Sequence, residues 1–209
     1  VGPGDRVAVL LPNVPAFVAV YEALMRLGAV MVPLNPLFTA RELGYFLEDS
    51  GARMLWAMPG LPAVDEVARN VDVEVVTLDL EAVGRECAAE GIAPVTEITP
   101  RDPDDDAVLL YTSGTTGAPK GALHGHRMLV GHLPGVEMSH DRLRPGADVL
   151  WTPADWAWIG GLFDVAMPAL ALGIPVVAAR LPRFDADAAS RVIADCGVTA
   201  AFLPPTALR

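Results

Sequence analysis

Through residues 1–90, short apolar runs alternate with helical patterns, and this alternation constrains the fold more than any other feature of the chain. Residues 6–11, 29–33, 54–57 and 73–78 read as strands; residues 15–27, 41–49, 64–70 and 81–90 between them read as helices. Adjacent parallel strands need a crossover of a dozen or more residues, and helices usually make it. The pattern therefore predicts an α/β fold of mostly parallel sheets flanked by helices. Strands as continuously apolar as these are expected to be covered on both faces.

A weak internal echo accompanies the alternation. Phe38-Thr39-Ala40 leads through a helix to Asp49-Ser50-Gly51 and on to Pro59, while Phe184-Asp185-Ala186 leads to Asp195-Cys196-Gly197 and on to Pro205. Thr39 and Asp185 suit helix N-caps, and Gly51 and Gly197 suit the left-handed residue that stops a helix. Either two related α/β subdomains, 1–100 and 107–209, arose by duplication, or ordinary α/β grammar converged on the same punctuation.

Composition removes several classes of function. A net charge of −11 argues against a nucleic-acid surface, because phosphate backbones are held by clustered Lys and Arg. Asp102 and Asp104 to Asp106 are broken by Pro103 and read as a solvated linker rather than a metal cluster. Cys87 and Cys196 lack metal or disulfide spacing and fit a reducing, cytoplasmic compartment. Residues 157–179 carry one charge, Asp164, and are long enough to cross a bilayer. Pro168, Gly173 and Pro175 instead fit a buried helix, a turn at Leu172-Gly173-Ile174-Pro175 and a buried strand, so no integral membrane segment is expected. His124 and His126 alternate as strand ligands could, but no acidic or cysteine partner stands at metal-site spacing, and no metal site is assigned. No G-x-S-x-G elbow supports a hydrolase.

The segment AVLLYTSGTTGAPKGALHG, residues 107–125, carries the chemistry. Gly114, Gly117 and Gly121 can take positive φ and let successive N–H groups converge on an anion, while Thr112, Ser113, Thr115 and Thr116 add hydroxyl donors. Lys120 adds a full positive charge. Strands at 107–111 and 121–123, with a helix beginning near His126, predict a phosphate-binding loop between two strands. A Walker A loop requires Gly-Lys-Ser/Thr followed at once by a helix; here Pro119 precedes Lys120 and Gly121 follows it. A flexible surface loop rich in Gly, Ser and Thr is the non-functional reading.

Residues 111–121, YTSGTTGAPKG, closely resemble the signature of the AMP-binding superfamily of acyl-CoA synthetases, luciferase-like enzymes and peptide-synthetase adenylation domains. GDRVAVLLPN at 4–13 and LGAVMVPLNP at 27–36 resemble the family's opening strands, and 151–173 its acyl-pocket region. Asp155 and Trp158 in an Asp-x-x-Trp arrangement look like the acetyl- and medium-chain acyl-CoA synthetase branch. The resemblance implies the N-terminal domain of an adenylating enzyme. A carboxylate attacks the α-phosphorus of ATP, accompanied by Mg2+, and coenzyme A then takes the acyl group. It also implies that Thr112, Ser113, Gly114, Thr115, Thr116, Gly117 and Lys120 bind the ATP phosphates. Trp156 and Trp158 would wall an acyl pocket, with Gly160 and Gly161 leaving room for the chain; core packing is the other reading of these tryptophans. The adenine- and ribose-binding residues, the hinge and the C-terminal domain with its catalytic lysine are expected beyond Arg209, so these residues are not expected to complete catalysis alone. A small-molecule carboxylate is the expected partner, and a non-catalytic nucleotide-binding remnant or interaction protein the alternative.

Overall fold

The strand rhythm becomes one six-stranded sheet in a computed structural model that describes residues 1–88, 97–112, 117–179, 181 and 183–208. The chain divides into two compact units, Val1–His126 and Arg127–Arg209.

In the first unit the strands are β1 (Arg6–Leu10), β2 (Val30–Pro33), β3 (Met54–Ala57), β4 (Glu74–Thr77), β5 (Asp106–Thr112) and β6 (Lys120–Gly125), lying in the order β4-β3-β1-β2-β5-β6. All neighbours are parallel except β5 and β6, which form an antiparallel pair. The crossovers are α1 (Pro15–Leu27), α2 (Ala40–Ser50), α3 (Pro62–Val67) and α4 (Leu80–Ala88). Every residue of β2, and all of β1 after Arg6, is buried, as expected of central parallel strands, while β4 at the edge is only partly covered. Helix α1 starts on Pro15 and stops on left-handed Gly28; α2 starts on a capping box in which Thr39 and Glu42 satisfy each other's backbone N–H. Leu43, Phe46 and Leu47 on α2 then face the sheet and join Leu10, Val32, Leu55 and Tyr111 in one core. Because β5 pairs with β2, this unit runs to His126 rather than ending at residue 100.

The acidic segment is an exposed turn before β5, with Asp105 accepting from the Asp102 N–H and pairing with Arg101 at 3.1 Å. Asp106 itself opens β5 rather than belonging to the linker.

The second unit contains α5 (Met128–Ser139), β7 (Leu150–Trp151), α6 (Ile159–Gly161), a π-helical turn (Leu162–Ala166), α7 (Met167–Ala171), α8 (Ala186–Asp195) and β8 (Ala200–Ala201). Leu150 bridges Val176 on one side and pairs with Ala200 on the other, both parallel. The apolar 157–179 stretch is thus a buried helical run, a turn at left-handed Gly173 and a strand-like segment against β7. Among the described residues no helix is long and apolar enough to cross a membrane. The path β7, helix, Val176, α8, β8 follows the path β1, α1, β2, α2, β3 in order and direction. Asp185 caps α8 as Thr39 caps α2, and Gly197 and Gly51 are both left-handed.

Candidate functional site

The glycine- and hydroxyl-rich segment 113–119 connects β5 to β6 in the sequence. Ala107 to Tyr111 are buried, which fixes β5 as the inner limb. The register Tyr111↔Gly121 and Thr112↔Lys120 then places the outer limb opposite it. Both limbs are fastened to α2. The Tyr111 hydroxyl donates to Asp49 Oδ2 at 2.7 Å, and its ring packs on Phe46 with centroids 4.7 Å apart. The Tyr45 hydroxyl donates to the Pro119 carbonyl at 2.7 Å. Tyr45 and Asp49 stand one helical turn apart, so a single face of α2 holds the chain just before and just after the loop. Burial, followed by the hydrogen bond to Asp49, raises the Tyr111 phenol above its ordinary range, so the hydroxyl stays a donor at neutral pH.

Thr112, Gly117 and Lys120 are exposed at this end of the hairpin. The Thr112 hydroxyl donates to the Lys120 carbonyl across the ladder at 3.5 Å. Gly117 has φ of 120°, a conformation that L side chains rarely adopt, and a Cβ there would meet nothing within 4 Å. The restriction at Gly117 is therefore conformational rather than steric. Ser113, Gly114, Thr115 and Thr116 lie outside the described residues. Gly121 faces Leu109, whose Cδ1 would stand 2.9 Å from an added Cβ; it packs the hairpin flat on its buried limb. Gly125 is needed for close approach, since a Cβ would meet the Pro103 carbonyl oxygen at 2.8 Å. His126 donates its backbone N–H to Asp105, and burial, then Arg101, lowers the pKa of its ring. Among the described residues no three His, Cys, Asp or Glu side chains are grouped to hold a metal ion.

The tryptophan segment is arranged differently from a flat aromatic wall. The Asp155 carboxylate accepts the Ala157 N–H at 2.9 Å, and its carbonyl accepts the Trp158 N–H. That turn sends Trp156 into the core, 1% exposed, and leaves Trp158 40% exposed. The tryptophans do not form one surface. Gly160 lies against the Phe202 ring: a Cβ there would meet that ring at 3.3 Å and Asp164 Oδ2 at 3.8 Å. Gly161 leaves no room for a ligand, because a Cβ would overlap the Asp155 carbonyl oxygen. Its role is to let the start of α6 lie against the backbone of Ala154 and Asp155. Burial pushes the Asp155 carboxyl up to about 6, partly opposed by the Ala157 hydrogen bond, and Oδ2 is enclosed without a hydrogen-bond partner among the described residues.

Sequence reasoning did not find Tyr45 and Asp49, because their polar tips sit on a helix whose pattern is accounted for by core packing. The nearest signal is a pair of hydrogen-bonding residues at i and i+4 flanking the core-facing Phe46.

A mostly parallel α/β sheet flanked by helices, ending in an antiparallel hairpin, is the fold of adenylate-forming N-terminal domains. The whole chain, residues 1–209, matches the AMP-binding enzyme family, and the protein belongs to it. The long-chain-fatty-acid–CoA ligase FadD13 of Mycobacterium tuberculosis is 31% identical over 191 residues, covering 89% of this chain and 36% of that one. The 3-hydroxybenzoate–CoA/4-hydroxybenzoate–CoA ligase of Thauera aromatica is 34% identical over 160 residues, covering 73% of this chain and 30% of its own length. An acyl-CoA synthetase of Brucella canis superposes with a TM-score of 0.80 at 28% identity, over 100% of this chain and 39% of that chain. The chain thus spans about a third of the length of these curated relatives.

Proposed function

We propose that this chain supplies the nucleotide-phosphate grip of an acid–thiol ligase that consumes ATP and releases AMP. The β5–β6 hairpin, fastened by Tyr111–Asp49 on one limb and Tyr45–Pro119 on the other, carries this reading. Thr112, Gly117 and Lys120 are exposed at one end of it. In the reaction, a carboxylate oxygen attacks the α-phosphorus of ATP and pyrophosphate leaves. The coenzyme A thiol then attacks the acyl carbonyl, forming a thioester and expelling AMP. The loop's part is to hold the β- and γ-phosphates with backbone N–H groups, hydroxyls and the Lys120 ammonium while pyrophosphate departs. Mg2+ accompanying the nucleotide would add charge neutralisation to that of Lys120.

The relatives named above act on acids as unlike as long-chain fatty acids and hydroxybenzoates at similar identity, so overall likeness does not select the acid. The test is carboxylate-dependent exchange of labelled pyrophosphate into ATP, run on this chain and on the longest reading frame that contains it. Acetate, butyrate, octanoate and benzoate are the first panel. Exchange that needs both a carboxylate and Lys120 supports the reading; no carboxylate-dependent exchange in either polypeptide overturns it.

A further inference from the structure

The two units follow one chain path, and the second is uncovered where the first is covered. A single offset in the sequence carries Thr39 to Asp185, Gly51 to Gly197 and Pro59 to Pro205, and the first residue of β3, Met54, to that of β8, Ala200. In the first unit β3 lies between β1 and β4. There α3 and the residues leading into β4 cover α2: Leu43, Phe46 and Leu47 share one core with Val64, Val67, Val71 and Val73. The same offset carries Leu43, Phe46, Leu47 and Ser50, all buried, to Ala189, Val192, Ile193 and Cys196 on or just after α8. Of these only Ala189 is buried; Ile193 is 37% exposed against 1% for Leu47, and the Cys196 thiol is free and exposed. Among the described residues, α8 contributes nothing to the apolar core that joins Leu150, Ile174, Ala200 and Phe202.

The edge of β8 is open as well. Ala200 and Phe202 donate their N–H groups to the Val149 and Trp151 carbonyls on the β7 side. Ala201 between them therefore turns its N–H and C=O away from β7, where no strand pairs with it among the described residues. Two strands alone are marginal, and parallel strands are ordinarily flanked and covered. We infer that β8 and α8 form a docking surface for a helix and a strand of this same polypeptide. The strand pairs in parallel with β8 as β4 does with β3, and the segment covers Ile193 and Cys196 as α3 and its neighbours cover α2. A parallel partner needs a crossover, and a 3-10 turn, Pro205–Leu208, leads out of β8 as Pro59 and α3 lead out of β3. The repeat places the strand about ten residues past Arg209. The match covers 36% of FadD13, so a relative of that length has room for such a segment. Identical edges of two copies related by a two-fold axis would instead pair antiparallel, which the repeat does not predict.

The experiment uses the wild-type product of the longest reading frame containing this chain, in native buffer and in concentrated urea. Hydrogen exchange resolved to the Ala201 amide reads the strand edge. Alkylation with iodoacetamide, mapped by mass to tell Cys196 from Cys87, reads the helix face. Both reactions are expected to be about a hundredfold or more slower in buffer than in urea, and the slowing is expected to survive dilution. A protected run of amides is expected about ten residues past Arg209, where the repeat puts the pairing strand. Alkylation of Cys196 or exchange at Ala201 as fast in buffer as in urea overturns the inference, as does a reading frame that ends at Arg209. Protection lost on dilution assigns the surface to a second copy and overturns it too. None of these outcomes bears on the phosphate-grip reading, which stands or falls with pyrophosphate exchange.

Discussion

Asp155→Asn is expected to stabilise the second unit, and to do so more at pH 7.5 than at pH 5. An aspartate in water titrates near 3.8, whereas burial pushes Asp155 up to about 6. The folded chain therefore binds this proton more tightly than the unfolded chain does. Between about pH 4 and 6 the unfolded state loses the proton first, so stability falls as pH rises through that window and levels off above it. At about 1.4 kcal/mol per tenfold difference in proton affinity, the ionised carboxylate costs about 3 kcal/mol at pH 7.5. Asparagine keeps an oxygen for the Ala157 N–H, which Asp155 Oδ1 now accepts at 2.9 Å, and brings no charge. Urea titrations followed by tryptophan fluorescence report chiefly on this unit, because Trp151, Trp156 and Trp158 lie in it and only Trp56 in the other. The advantage of the variant at pH 5 should be about half that at pH 7.5, from the same linkage relation. Measuring below pH 5 is unwise with a sequence pI near 4.6, where net charge vanishes and association competes. Comparing the two proteins at each pH cancels every other titrating group. A difference between them that does not change with pH would refute the claim that Asp155 is buried with its charge uncompensated.

Gly161→Ala is expected to cost about 3 kcal/mol in urea unfolding, since the added methyl collides with backbone; Gly160→Ala should cost under about 1 kcal/mol, because the Phe202 ring can shift. Thr39→Ala should cost about 1 kcal/mol by removing one half of the capping box, and Asp185→Ala a similar amount in the other unit, both read by chemical denaturation. Lys120→Ala should lower exchange about a hundredfold without changing the melting temperature, because Lys120 is exposed and its proposed task is to meet phosphate charge. Tyr45→Phe should raise the KM for ATP several-fold with a loss of about 1 kcal/mol in stability, the value of one neutral hydrogen bond.

The sequence made the first unit's elements readable where local chemistry punctuates them. Pro15 and Gly28 bracket α1 at the expected bounds, and Met54–Ala57 is a strand as expected, because proline, left-handed glycine and uninterrupted apolar runs act within a few residues. Pairing between distant segments left no such local mark. β5 stands beside β2 across more than seventy residues, so the unit's boundary moved to His126. The tryptophan region stayed open to two readings for a related reason. Trp156 and Trp158 fit either an acyl-pocket wall or core packing, and the turn made by Asp155 buries Trp156 while leaving Trp158 40% exposed. Gly161 suggested space, and what its missing side chain permits is close approach of backbone to backbone. Both outcomes depend on what lies across the turn, which one-dimensional spacing does not encode.

Tyr45, Phe46 and Asp49 show why the loop's setting depends on a helix that carries no signature. Phe46, 3% exposed, anchors α2 in the core, and its ring also packs against Tyr111 on the inner limb. The hydroxyl of Tyr45 and the carboxylate of Asp49 then reach the two limbs from either side of that anchor. Fixing one residue of backbone costs about 1–2 kcal/mol of conformational entropy. Backbone held beforehand at Tyr111 and Pro119 is backbone whose ordering phosphate binding would not need to offset, so on the proposed function these two hydrogen bonds would strengthen nucleotide binding without touching the nucleotide. The effect is separable from fold stability. Deleting either hydroxyl removes one tie and leaves the aromatic packing, whereas truncating Phe46 removes the packing on which both ties depend. The hydroxyl variants should therefore weaken ATP binding out of proportion to their small loss of stability, and a Phe46 variant should lower both together.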